Sequence, residues 1–245
     1  MHISVGRVCA LHTSREQSLS EAQRRSGSKA NADDDRQLLM TALTTEHFTL
    51  QGARSQTMSE SAARASVFVF ATSSALVALG FIAQVSSLDA VGLVFALAVL
   101  PTLYVLGAAT FVRLVECSAE DFRYGLAINR IRHFYKETAG EHADLFLLSG
   151  HDDGAGVFEN MGLSAERRSP LFAFSTAIAV IDGVVGGSAI GVALGPALGA
   201  PLGLAAGVGG AVAIASVLAF VRQASRILNR AAQVQPLFPH PDATA

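Results

Sequence analysis

Apolar residues in this chain gather in long uninterrupted runs, without the strict alternation of a strand or the three-to-four spacing of a half-buried helix. No charged side chain occurs from Ala65 to Leu88, none from Ala90 to Val112, and none across the 39 residues from Gly183 to Val221. At about 1.5 Å of rise per helical residue, about 20 residues cross the ~30 Å hydrocarbon layer of a bilayer. The first two runs each fit one crossing. The third is too long for one.

Four spans follow. The first runs from about Ser66 to Val85 and the second from about Ala90 to Val112, joined by the short turn SSLDA. The third enters after ERRSP, where Arg167 and Arg168 suit an interface and Pro170 suits a first helical turn. It ends near Leu194, because the prolines and glycines of GPALGAP continue a helix poorly; the fourth then runs from about Leu202 to Val221. Of the 18 Lys and Arg, 8 precede span 1, 7 lie between spans 2 and 3, and 3 follow span 4. All fall on one side, which predicts an inner (plasma) membrane protein with both termini cytoplasmic.

The polar flanks carry a weaker signal. Residues 36–64 and 113–138 lack proline, and Val115, Phe122 and Leu126 recur at roughly helical spacing, so both segments are expected to be helices forming a cytoplasmic stalk. Residues 14–36 mix Ser, Ala and both charges with little to bury, which predicts a disordered tail. HADLFLLSG is too short to cross and is followed by the loop-like HDDGAG, so residues 139–169 are expected near the membrane surface. The expected architecture is all-α: a polytopic integral membrane protein of four transmembrane helices arranged as two hairpins with a cytoplasmic helical stalk. Its parts are a tail over 1–35, a cytoplasmic helix over 36–64, a hairpin over 65–112, a helix and surface loop over 113–169, a glycine-rich hairpin over 170–222 and a second tail over 223–245.

Composition agrees with a bilayer partner: 51% of residues are hydrophobic and 16% charged. A net charge of −2 gives no global attraction to nucleic acid, and the arginines are not interleaved with stacking aromatics, so nucleic acid is not an expected partner. Sixteen Arg against two Lys points to G and C rich codons and a bacterial host. Cys9 and Cys117 lack the spacing of a metal site and read as free thiols. No short apolar core follows the first basic residues, so no cleavable signal is expected.

Candidate chemistry concentrates in the third run. Glycine recurs every fourth residue at Gly183, Gly187, Gly191, Gly195, Gly199, Gly203 and Gly207. A four-residue step advances about 400° around a helix, so successive glycines form one shallow groove where another backbone can approach closely. Gly183, Gly187, Gly191 and Gly195 on span 3, with Gly203 and Gly207 on span 4, are the expected packing positions, serving contacts within the monomer or self-association. This ladder resembles that of the glycine-zipper membrane proteins. The resemblance covers about 40 residues and implies close helix packing and, as in some members, oligomeric pores.

Asp182 stands just before the ladder, about 17 Å along span 3 and so near the bilayer centre. A carboxylate there costs roughly 2.5 to 3.5 kcal/mol on insertion scales and should face protein or water. Counting inward on span 2 brings Pro101, Thr102 and Tyr104 to the same level. They are the expected neighbours of Asp182, either in a proton or cation relay or in a hydrogen-bonded packing lock.

Elsewhere, Arg130, Arg132 and Lys136 beside Phe134 and Tyr135 are candidates for anionic headgroups or for stalk pairing with Glu46, Glu60 or Glu116. His142, Asp144, His151, Asp152 and Asp153 lack the 12-residue calcium-loop pattern and read as a solvated loop, so no metal is expected. With no paired nucleophile and base, no P-loop and no G-x-S-x-G, catalytic residues and cofactors are not expected. The layout also resembles predicted membrane effectors of bacterial conflict systems and other four-span bacterial membrane proteins. Two functions fit: a non-enzymatic membrane protein that oligomerises into a small channel or membrane-perturbing effector, or a scaffold or accessory subunit of a larger membrane complex.

Overall fold

The structure, a computed structural model, describes residues 5–86, 90–162 and 170–241. All regular elements among these residues are helical, covering 88% with no strand. In chain order they are α1 (Val5–Ser86), α2 (Ala90–Ala139), a 3-10 turn (Gly140–Leu145), α3 (Gly154–Asn160), α4 (Pro170–Val192), a π turn (Ala193–Ala197) and α5 (Leu202–Ala231). The turn between the first two spans and the pair Arg167 and Arg168 lie outside the described residues.

Two compact units divide the chain, Met1–Thr49 and Leu50–Ala245. In the first, the backbone is helical from Val5, where composition predicted a disordered tail over 1–35. Proline is absent there, and Ala, Gln, Glu and Arg all favour helix. Further along, the hydroxyls of Thr41, Thr45 and Thr49 donate to the carbonyls of Gln37, Thr41 and Thr45, so these threonines satisfy themselves on their own helix.

Among the described residues, four helices are long and apolar enough to cross a membrane, and less than half of each apolar window is buried. Phe70 and Phe81 on α1, Val91 and Val105 on α2, and Leu204 and Ile214 on α5 point outward. The inward faces make two apolar layers. Phe68, Phe111, Leu114, Val115, Ile178, Ala179 and Ala224 form one, with α1, α2, α4 and α5 all contributing. Ala96, Leu100, Leu103, Val185 and Ala189 form the other, from α2 and α4. Rising numbers on α4 meet falling numbers on α2, so these helices run antiparallel. Pro101 sits within α2 on its exposed side, where the helix runs on.

The glycine-rich run turns where GPALGAP predicted it. The helix widens to a π turn over Ala193–Ala197, the Gly199 and Ala200 amides donate back to the Gly195 and Leu194 carbonyls, and Gly199 takes a left-handed φ of 72°. Glycine adopts that conformation without the Cβ penalty other residues incur.

Candidate functional site

Asp182 is fully buried where three helices meet. Its carboxyl lies against Gly107 of α2, so closely that a Cβ at Gly107 would overlap the Asp182 Cγ and Oδ1 and stand 2.7 Å from Phe68 Cε2 of α1. Neither carboxyl oxygen has a hydrogen-bond partner among the described residues. Thr72, one turn beyond Phe68 on α1, is likewise buried with its hydroxyl unpartnered. Polar groups sealed without partners cost free energy, so this junction is a place where the fold tolerates strain against its own packing.

Pro101 and Thr102, expected beside Asp182, lie on the outer side of α2, whereas Tyr104 reaches α4 one turn from Asp182. Thr102 is exposed and donates to the Ala98 carbonyl at 2.8 Å, and Pro101 shares that outer side. Tyr104 packs its ring on Gly186 and shares a 3.1 Å hydrogen bond with Ser216 of α5. The discrepancy is one of level: pairing Asp182 with Gly107 places Pro170 opposite roughly residue 119 of antiparallel α2, well beyond Val112. Counting from Val112 therefore fell short by between one and two turns. Gly107, Thr72 and Ser216 were missed because a small or hydroxyl residue inside an apolar run carries no positional signal of its own.

The glycine ladder divides by face. A Cβ at Gly183 would stand 2.8 Å from Val217 Cγ2 and 2.9 Å from the Ala213 carbonyl oxygen. At Gly187 it would collide with the Gly209 carbonyl oxygen, and Gly191 and Gly195 face Ala205. Gly183, Gly187 and Gly191 of α4 thus admit the backbone of α5, and Gly195 in the π turn faces the Ala205 side chain. A Cβ at Gly203 or Gly207 would meet nothing within 4 Å among the described residues, whereas one at Gly209, outside the four-residue register, would stand 2.6 Å from the Gly187 carbonyl oxygen. Beside this seam runs a groove of about 310 Å³ lined by small residues including Gly187, Gly191, Ala206 and Gly210.

The chain matches no family model, no curated protein and no solved structure. Its reading therefore rests on its own geometry.

Between α1 and α2, the ion pairs are built by residues other than Arg130, Arg132 and Lys136. Arg54 binds both oxygens of buried Asp121 at 2.6 and 3.1 Å. Arg113 grips both oxygens of Glu60 at 2.9 and 3.1 Å and reaches Glu116 and Glu120. The Arg113 guanidinium, then that of Arg64, lowers the Glu60 carboxyl from 4.5 to about 2. Glu60 and Glu116 in turn raise Arg113 above its ordinary value.

Arg130, Arg132 and Lys136 instead hold the polypeptide that folds back along α2. Lys136 donates to the Leu148 carbonyl at 3.3 Å, and Arg132 to Asn129 Oδ1 and the Ser149 carbonyl. Leu148 therefore lies beside Lys136, about 36 Å along the helix from Val112. Arg130 Nε donates to Asp152 Oδ2 at 2.6 Å. Asp152 is fully buried and His151 and Asp153 are half-buried, so this part of the expected solvated loop is packed, while His142 and Asp144 are exposed. Asp153 caps α3 by accepting from the Gly156 amide at 2.8 Å. The residues after α5 complete this cluster: the Leu237 and Phe238 amides donate to Asp152 at 3.1 and 2.7 Å, and the His240 amide donates to Asp153 at 2.6 Å. Burial pushes the Asp152 carboxyl up, but those two amides and Arg130 outweigh it and leave it below its ordinary value. The sequence signal for this cluster is QPLFPHP, whose spaced prolines exclude a helix and expose amides for pairing.

Proposed function

We propose that this chain is a non-enzymatic multi-pass protein of the bacterial inner membrane that assembles into a small channel or membrane-perturbing effector, with Asp182 as the group that binds and releases a proton. Four apolar helices of spanning length, apolar on their outer faces, support the membrane setting. One-sided Lys and Arg support cytoplasmic termini.

The observation that carries the reading is the Asp182 carboxyl, enclosed by α1, α2 and α4 and without a hydrogen-bond partner among the described residues. A packing lock would be made of hydrogen bonds, and this group makes none among the described residues. A carboxyl at membrane depth that contributes no lock is a functional group by default. Separation of α4 from α2 would admit water to the carboxyl, and Thr72, one turn from Phe68 on α1, carries a buried hydroxyl without a partner among the described residues.

Liposomes containing the purified protein, loaded with a pH-sensitive dye and driven by a potassium gradient, test this reading. Proton entry above that of empty vesicles, removed by Asp182→Asn, is expected. Equal flux with and without the substitution rejects the relay.

The open small-residue face of α5, Gly203, Gly207 and Gly210, favours a second reading in which another membrane subunit docks there and the chain is a scaffold. Isolation in mild detergent separates the two. A homogeneous homo-oligomer that conducts supports the first, and a stoichiometric different protein without conductance supports the second.

A further inference from the structure

The segment after α5 is bound as a ligand would be. Helix α5 ends at Ala231, and Pro236, Pro239 and Pro241 then keep the polypeptide out of helix, leaving the amides between them free to pair outward. Each amide is taken by a carboxylate. Asp152 receives Leu237 N on one oxygen and Phe238 N on the other, Asp153 receives His240 N, and Asp152 N returns a 3.2 Å bond to the Phe238 carbonyl. The Phe238 ring lies flat on the His133 imidazole, centroids 3.6 Å apart and planes within 13°. Backbone pairing for affinity with a side-chain platform for selectivity is the mode by which domains bind extended peptides.

Burial makes the arrangement specific. Asp152 is fully enclosed, and apart from Arg130 its donors are amides of this segment. An empty cradle would leave a buried carboxylate with one partner in place of three, a costly condition.

We propose that the cradle formed by α2, α3 and the loop between them is a recognition site for an extended Pro-Leu-Phe-Pro peptide, filled in cis by residues 235–240. The filled site ties the end of α5 to the C-terminal part of α2, so any competing segment of this kind must displace the chain's own. The inference is independent of the membrane reading, since it concerns residues beyond the apolar runs.

The test uses protein truncated after Ala232, in detergent, and a fluorescent peptide of residues 233–241 read by anisotropy. Saturable binding is expected. A peptide N-methylated at the Phe238 amide should bind about tenfold or more weakly, because a hydrogen bond to a charged acceptor is lost. The intact chain should also bind the unmodified peptide less well than the truncated one. Absence of saturable binding to a truncated protein that retains its helicity, or equal binding of the N-methylated peptide, overturns the proposal. Amide hydrogen exchange on the intact chain provides a check that needs no truncation: slow exchange at Leu237, Phe238 and His240, lost together in Asp152→Asn, is expected, and fast exchange at all three in the unmodified chain also overturns it.

Discussion

Gly107 and Asp182 occupy one another's space, which makes a sharp residue-scale prediction. A methyl group at Gly107 must overlap the Asp182 carboxyl and press on Phe68. Gly107→Ala is therefore expected to destabilise the protein by about 1–3 kcal/mol, the usual range for overpacking a tight core. Asp182→Ala should restore part of that loss in the double variant, because it removes the carboxyl while Phe68 remains. Thermal unfolding in detergent of the two single variants and the double variant measures this coupling. Additive losses would show that the two residues do not meet. Cys117 illustrates the opposite residue-scale condition: burial raises its thiol above the ordinary value, so it should resist maleimide in the folded protein.

Helix pairs carry the next level of argument. α4 and α5 approach through Gly183, Gly187 and Gly209, whereas a Cβ at Gly203 or Gly207 would meet nothing within 4 Å among the described residues. Gly187→Ala should lower thermal stability by about 1–3 kcal/mol, since its methyl group meets the Gly209 carbonyl and stands 2.8 Å from Ala213 Cβ. Gly207→Ala should not lower it, and replacing glycine inside a helix can add up to about 1 kcal/mol. Identical losses in both would mean that helix propensity or assembly dominates over the α4–α5 seam. At the α1–α2 pair, Glu60 titrates lower in the folded protein than the ordinary 4.5. Its contribution to stability is thus present above pH 4.5 and lost as pH falls from there towards about 2. Unfolding temperatures over that range should decline, and Arg113→Gln should flatten the Glu60 part of the decline. A profile unaffected by Arg113→Gln would remove Glu60 from the pairing.

For the molecule as a whole, the proposed orientation puts the α4–α5 turn outside the cell and the segment after α5 inside. Leu198 in that turn and Val234 after α5 are both well exposed, so a cysteine at either is open to reagent. An impermeant maleimide applied to intact cells should label Leu198→Cys and spare Val234→Cys until the cells are lysed. Labelling of Val234→Cys in intact cells would reverse the orientation. The outward-facing apolar residues on all four long helices make the surrounding solvent a whole-molecule property, because no single one of them is unusual on a protein surface.

Uninterrupted apolar runs and the prolines of GPALGAP were enough by themselves to yield four helices of membrane-spanning length and the turn between α4 and α5. Both signals are local: hydropathy summed over one helix, and backbone that cannot continue one. The same local information marked Asp182 as exceptional but misplaced its neighbours, since the level at which two helices meet depends on where each begins against the other. Tertiary structure decided that Gly107 rather than Thr102 faces the carboxyl, and that Gly209 replaces Gly203 and Gly207 at the seam. It also decided that Asp152, apparently a solvated loop residue, is buried beneath a segment more than 80 positions away. Such contacts join residues distant in sequence through shape and hydrogen bonding, and neither leaves a periodic trace in the chain.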